Sequence, residues 1–197
     1  MDPDLRRPAD RIDRLDRIGA LRPEHRLRRQ RRGAAPAGPV DGIYKSTDAG
    51  RTWTRLGLND AQQIPRIDVD PRDPNRLFVA ALGHPYGPNE ERGIFRSLDG
   101  GRSFKKVLYK DENTGGNDVD IDPVNPNIVY ATLWEERQGP WENAVWAGTN
   151  GGIFKSTDGG TTWKPLTNGL PEVVQANLAI SPADHRRLYA TVAFFDK

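Results

Sequence analysis

Two stretches of this chain concentrate side chains able to do chemistry. His84-Pro-Tyr86-Gly-Pro-Asn89-Glu90-Glu91-Arg92 holds an imidazole, a phenol, two carboxylates and a guanidinium within nine residues. Trp134-Glu135-Glu136-Arg137-Gln138-Gly-Pro-Trp141-Glu142-Asn143-Ala-Val-Trp146 adds three indoles and three acids. Flat rings stack on the apolar faces of sugars, and paired carboxylates can serve as acid and as base or nucleophile, so the combination points to a carbohydrate-type site. A plainer use is open to the same residues: indoles anchoring loops over a sheet, and acids pairing with Arg92 and Arg137 at the surface. The binding candidates are His84, Tyr86, Glu90, Glu91, Arg92, Trp134, Glu135, Glu136, Arg137, Trp141 and Trp146. No residue is assigned a catalytic role.

Other chemistries are poorly provided for. With no cysteine there is neither a disulfide nor a thiolate metal site. His25, His84 and His185 are isolated from one another in sequence, so neither a metal-spaced pair nor a Ser-His-Asp arrangement is visible. The acidic alternation Asp118-Val-Asp120-Ile-Asp122 fails as a calcium loop, because Pro123 stands where a turn glycine is needed and Val129 where the bidentate glutamate belongs. Phosphate-cradling glycine loops are also missing. The reading therefore assigns no metal and no cofactor.

The elements that must carry these residues are repeats. Ser46-Thr-Asp48-Ala-Gly50-Arg-Thr52-Trp53, Ser97-Leu-Asp99-Gly-Gly101-Arg-Ser103-Phe104 and Ser156-Thr-Asp158-Gly-Gly160-Thr-Thr162-Trp163 are three copies of one motif. Each follows a short apolar run of the form Gly-Ile-aromatic-cation. The chemistry is that of a hairpin turn: Asp accepts backbone amides, Gly takes the positive φ, Ser or Thr returns the chain to a strand, and the aromatic packs beneath. A second element, strand, Pro-bearing turn, strand, recurs around Pro71, Pro123 and Pro182. These prolines follow the motif aspartates by 23, 24 and 24 residues, whereas the next motif aspartate follows by 28 and then 35. Length variation is thus confined to one connection per repeat.

The eight-residue motif resembles the Asp-box, or bacterial neuraminidase repeat, found in sialidases, xyloglucan-degrading glucanases and the sortilin ectodomain. The resemblance covers residues 41–197. It implies an all-β, partial β-propeller of four-stranded antiparallel blades, with Asp48, Gly50, Trp53, Asp99, Gly101, Phe104, Asp158, Gly160 and Trp163 as structural box residues away from any active face. It also implies that the working loops lie on the opposite face: Gly83 to Arg92, Tyr109 to Asn117, Trp134 to Asn150 and Thr167 to Val174. The sialidase arginine triad cannot be assigned, since these loops offer only Arg92 and Arg137. The paired aspartates that xyloglucanases set across a cleft between two propellers have no counterpart either. The expected function is a non-catalytic ligand- or protein-binding module, with carbohydrate or protein as ligand. The alternatives are part of a glycoside hydrolase whose catalytic residues lie partly outside this chain, and a non-functional gene fragment.

Strand counting predicts a half-blade near 41–57, whole blades near 64–108 and 118–166, and a second half-blade near 176–193, about three blades' worth. Closed propellers use about four to eight blades, so the expectation is a fragment that joins further blades or self-associates. Residues 1–40 carry eleven Arg and six acids without an aromatic, a net charge of +5 against −3 for the remainder. Ile12, Leu15 and Ile18 fall at helical spacing, and a linker from Gly33 to Pro39 follows. The segment is expected to be a short helix or irregular, or else the product of a disrupted frame. The acids and missing aromatics argue against nucleic-acid binding. There is no signal-like apolar core and no run long enough to span a membrane. The family resemblance nonetheless implies an extracytoplasmic full-length parent.

Overall fold

The structure, a computed structural model, describes residues 42–138 and 145–196. The Arg-rich segment and Trp141 lie outside the described residues, and of Trp146 only the backbone is described. Thirteen strands and no helix are found among the described residues. β1 (Tyr44–Lys45) and β2 (Thr54–Arg55) form a hairpin. β3 (Arg66–Val69), β4 (Leu77–Ala81), β5 (Gly93–Ser97) and β6 (Lys105–Leu108) form a four-stranded antiparallel sheet in chain order. β7 (Thr114–Ile121), β8 (Val129–Gln138), β10 (Gly152–Ser156) and β11 (Lys164–Pro165) repeat it, with β9 (Val145–Ala147) paired to the far end of β8. β12 (Val173–Ile180) and β13 (Leu188–Phe194) end the series as a hairpin. The half-blade, two blades and half-blade of the strand count are all present.

β4 is buried at every position because its successive side chains enter seams on opposite faces of the sheet. Leu77, Val79 and Ala81 of β4 join Ile43, Leu58 and Phe95 between the first half-blade and the first whole blade. Phe78 and Ala80 of the same strand turn the other way and pack with Val119, Ile121, Val129 and Leu133 of the next blade. A third cluster of Ile153, Val173 and Ala176 fills the last seam. In the Gly-Ile-aromatic run, the isoleucine faces the following blade and the aromatic the preceding one, as Ile94 and Phe95 show.

The three boxes share one geometry. The Ser hydroxyl donates to the Asp at 2.8, 2.8 and 2.7 Å and accepts the amide of the second glycine position at 2.8 Å in every copy. The Asp in turn accepts the amide four residues ahead at 2.8–2.9 Å and that residue's hydroxyl at 2.6 Å. The Thr52 hydroxyl and amide, with the Ser46 hydroxyl, hold the Asp48 carboxyl down at about 2; Ser103 with Ser97, and Thr162 with Ser156, depress Asp99 and Asp158 in the same way. Phe104 and Trp163 pack onto the preceding blade, whereas Trp53 folds back so that its indole N–H donates to Gly50 O at 3.1 Å.

Two connections differ from their expected form. The stretch Asp111 to Gly116 reads as a turn-rich loop, yet β7 begins at Thr114. Its glycines answer a packing need: a Cβ on Gly115 would lie 2.6 Å from the Leu82 backbone, and one on Gly116 2.4 Å from Gly93 O. The connection from Trp134 onward is a continued hairpin rather than a loop, since Glu136, Arg137 and Gln138 pair with Ala147, Trp146 and Val145.

Candidate functional site

Backbone bonds separate two faces of the blades. On one, the box of each four-stranded blade touches the Pro-bearing turn of the same blade: Gly100 N donates to Asn75 O and Gly159 N to Asn127 O, both at 2.8 Å. On the other, the variable connections converge. Asn89 N donates to Glu112 O at 3.0 Å and Glu136 N to Asn113 O at 3.3 Å. Lys110 Nζ reaches Gly151 O at 3.4 Å, and the Asn150 side-chain amide reaches Asp111 at 3.4 Å.

Arg92 organises that convergence. It has no exposed surface, and its guanidinium donates to His84 O at 2.6 Å, Gly87 O at 3.0 Å, Asn113 O at 3.2 Å and Glu136 O at 3.3 Å. Four carbonyls from three connections are thereby satisfied by one planar cation. Burial lowers its pKa while the charge of Glu136 opposes the shift; burial likewise raises Glu136, and Arg92 opposes that.

Several other candidates are also committed to backbone. Glu91 accepts the amides of Asp60 and Ala61 at 2.8 and 2.7 Å, closing the connection that precedes β3. Glu135, buried in β8, accepts Asn150 N at 3.0 Å. A Cβ on Gly148 would collide with the Glu135 carboxylate, so only glycine permits this approach. His84 Nε2 lies 3.1 Å from Asp60, whose second oxygen accepts the Asn89 amide at 2.8 Å. Trp134 is half-buried, with its indole nitrogen buried and without a hydrogen-bond partner.

What stays open to solvent is Tyr86 and Glu90, together with a neighbour that the residue pattern did not single out. Lys106 Nζ donates to Glu90 O at 2.5 Å and lies 3.9 Å above the ring centroid of the exposed Tyr109. Lys106 sits on β6 and Tyr109 just after it; the ordinary strand alternation there carries no cue that Lys106 reaches Glu90. Asp60 and Asn113 were equally invisible, because their partners lie 21 or more residues away, except within local turns.

The acids of the inner strands join blades. Asp68 accepts Ile121 N at 2.7 Å, and Asp118 accepts Leu178 N at 2.8 Å. His185 Nδ1 lies 2.8 Å from Asp122, which also accepts the amides of Val124 and Asn125. Asp120 pairs with Arg66 at 2.7 Å, yet burial and the charge of Asp118 raise its pKa to about 6. No cluster of His, Cys, Asp and Glu suited to a metal ion occurs among the described residues.

Comparison with known proteins agrees with this architecture. The family model described as sortilin, neurotensin receptor 3, of the Sortilin-Vps10 type, matches residues 41–191. The chain is 28% identical over 137 residues to xyloglucanase Xgh74A of Acetivibrio thermocellus, covering 64% of this chain and 14% of that protein. It is 24% identical over 168 residues to a xyloglucanase of Hypocrea jecorina, covering 76% and 19%. It is also 26% identical over 149 residues to the photosystem II assembly lipoprotein Ycf48 of Trichormus variabilis, covering 66% and 44%. The chain therefore spans less than half the length of each of these relatives. Among solved structures, the GH74 enzyme of Niastella koreensis superposes with a TM-score of 0.50 at 21% identity, covering 78% of this chain and 24% of that one, a likeness of fold.

Proposed function

This chain belongs to the Sortilin-Vps10 family, and from that premise we propose that it is a ligand-binding propeller module without catalytic activity of its own. The observation that carries the reading is the Arg92 strut. One buried guanidinium ties the connections of two neighbouring blades into a fixed surface, and Tyr86, Glu90 and Tyr109 are left exposed on it. Two of the candidate carboxylates, Glu91 and Glu135, are spent on backbone amides. Paired catalytic carboxylates must instead face a substrate across a cleft.

The proposed ligand class is a glucan oligosaccharide, an assignment supported by the xyloglucanases among the relatives. Those same relatives favour a second reading, in which these blades are part of a glycoside hydrolase completed by residues outside this chain. Calorimetric titration with xyloglucan oligosaccharides tests the first: binding is expected, and Tyr86→Ala or Tyr109→Ala should weaken it by roughly 1–3 kcal/mol, the scale of stacking on planar ligands. Reducing ends released by the wild type and lost in Glu135→Gln would establish the second. Binding to no glycan would leave a protein ligand as the reading to pursue.

A further inference from the structure

We propose that Lys106 is a specificity-determining residue of this surface: its ammonium caps the ring of Tyr109, and a sugar that stacks there must displace it. The inference deepens the glucan-binding reading and rests on it. Tyr86 is 62% exposed, whereas Tyr109 is 41% exposed and carries the Lys106 ammonium 3.9 Å above its ring centroid. Dispersion contact would set the carbons of a stacked sugar about 3.5–4.0 Å from the ring. Cap and sugar therefore exclude each other on that face.

A register shift builds the contact. Lys105 stands opposite Arg96 and Lys106 opposite Phe95, but Leu108 stands opposite Ile94. Val107 is thus the extra residue of a β-bulge, and past it the alternation of sides is reversed. Lys106 and Tyr109, three positions apart, would face opposite sides of a regular strand; the bulge brings them to one side. Lys106 Nζ also lies 5.8 Å from the Phe95 ring centroid and donates to Glu90 O at 2.5 Å. The head is therefore held from β5, from the connection before it and from the end of β6.

The repeat itself does not require this pair. Lys106 and Tyr109 stand two and five residues after the box aromatic Phe104; the same positions after Trp53 hold Arg55 and Leu58, and after Trp163 they hold Pro165 and Asn168. Strands pair in the same register there without a lysine and tyrosine together, as Phe154 opposite Pro165 shows. The pair answers to something other than strand pairing. Burial and then the charges of Glu112, Asp111 and Glu90 raise the Tyr109 phenol, so carboxylates able to accept sugar hydroxyls stand around the ring. The same charges oppose an anionic sugar, which makes Lys106 a cap and not an anchor for a ligand carboxylate. Displacement forfeits the cation–π contact and the bond to Glu90, so a neutral sugar is held only where further contacts, as at Tyr86, offset that loss.

Two measurements on the full 197-residue chain test the cap. Flavin-sensitised photo-CIDNP proton NMR of the free protein reports tyrosine rings that a dye can reach, and Tyr109→Phe identifies the Tyr109 signal. Lys106→Ala should strengthen that signal. In calorimetric titration with xyloglucan oligosaccharides, Lys106→Ala should bind about three- to tenfold more tightly than wild type, the effect of removing one cation–π contact and one hydrogen bond from the free state. Lys105→Ala, which removes the same charge from the exposed neighbouring position, should show no such gain. A Tyr109 signal unchanged by Lys106→Ala, or a measurable affinity of Lys106→Ala equal to or below that of wild type, would overturn the proposal. A stronger signal with no oligosaccharide bound by either protein would support the cap and overturn the glucan-binding reading instead.

Discussion

Ala49 holds φ at +59° in the box position where the other copies carry Gly100 and Gly159 at +74° and +69°. A Cβ in that region costs roughly 1–2 kcal/mol per residue, partly offset by the greater freedom glycine has when unfolded. Ala49→Gly is therefore expected to stabilise the chain by up to about 1 kcal/mol in urea denaturation. Acid and base act on stability through opposite residues. Asp48 is depressed to about 2, so its contribution is present above pH 4 and lost as pH falls toward 2. Asp120 is raised to about 6 by burial and by Asp118, so its contribution is complete below its ordinary value near 4 and fades as pH climbs through 6. Asp120→Asn should accordingly flatten the decline in Tm between pH 4 and 6 and leave the loss below pH 4 intact, as followed by circular dichroism.

At the scale of elements, the boxes and Pro-bearing turns were legible because each backbone position in them demands a particular side chain. Ser97, Asp99, Gly101 and Ser103 are all fixed by hydrogen bonds within seven residues. The start of β7 was not legible: Gly115 and Gly116 read as turn residues, although the close backbone of the preceding blade selects them. Gly116→Ala should therefore cost about 1–3 kcal/mol by overpacking the seam, whereas Gly87→Ala, with open space around its Cβ position, should be close to neutral by the same denaturation measurement. The two faces should also respond separately. Asp158→Ala unfastens a box and should lower Tm without changing the affinity of the folded molecule for ligand. Arg92→Met leaves four carbonyls without their donor and should lower both.

For the molecule as a whole, the blade series could be read from repeat spacing, but the candidate site only in outline. Arg92, Glu91 and Glu135 have the side chains of a catalytic or ligand-binding surface, and nothing in their spacing tells that they are spent on backbone groups. Lys106 meets both Glu90 and the Tyr109 ring only because the fold brings the end of β6 beside the connection that precedes β5. The membership in the Sortilin-Vps10 family and the xyloglucanases among the relatives leave binding and hydrolysis to be separated by experiment. Saturation-transfer proton NMR on a xyloglucan oligosaccharide mixed with the chain reads both at once. The account predicts transfer from protein to sugar that weakens in Tyr86→Ala, with no new reducing-end anomeric signal however long the sample stands. Anomeric signals that grow with time, or transfer unchanged by Tyr86→Ala, would contradict it.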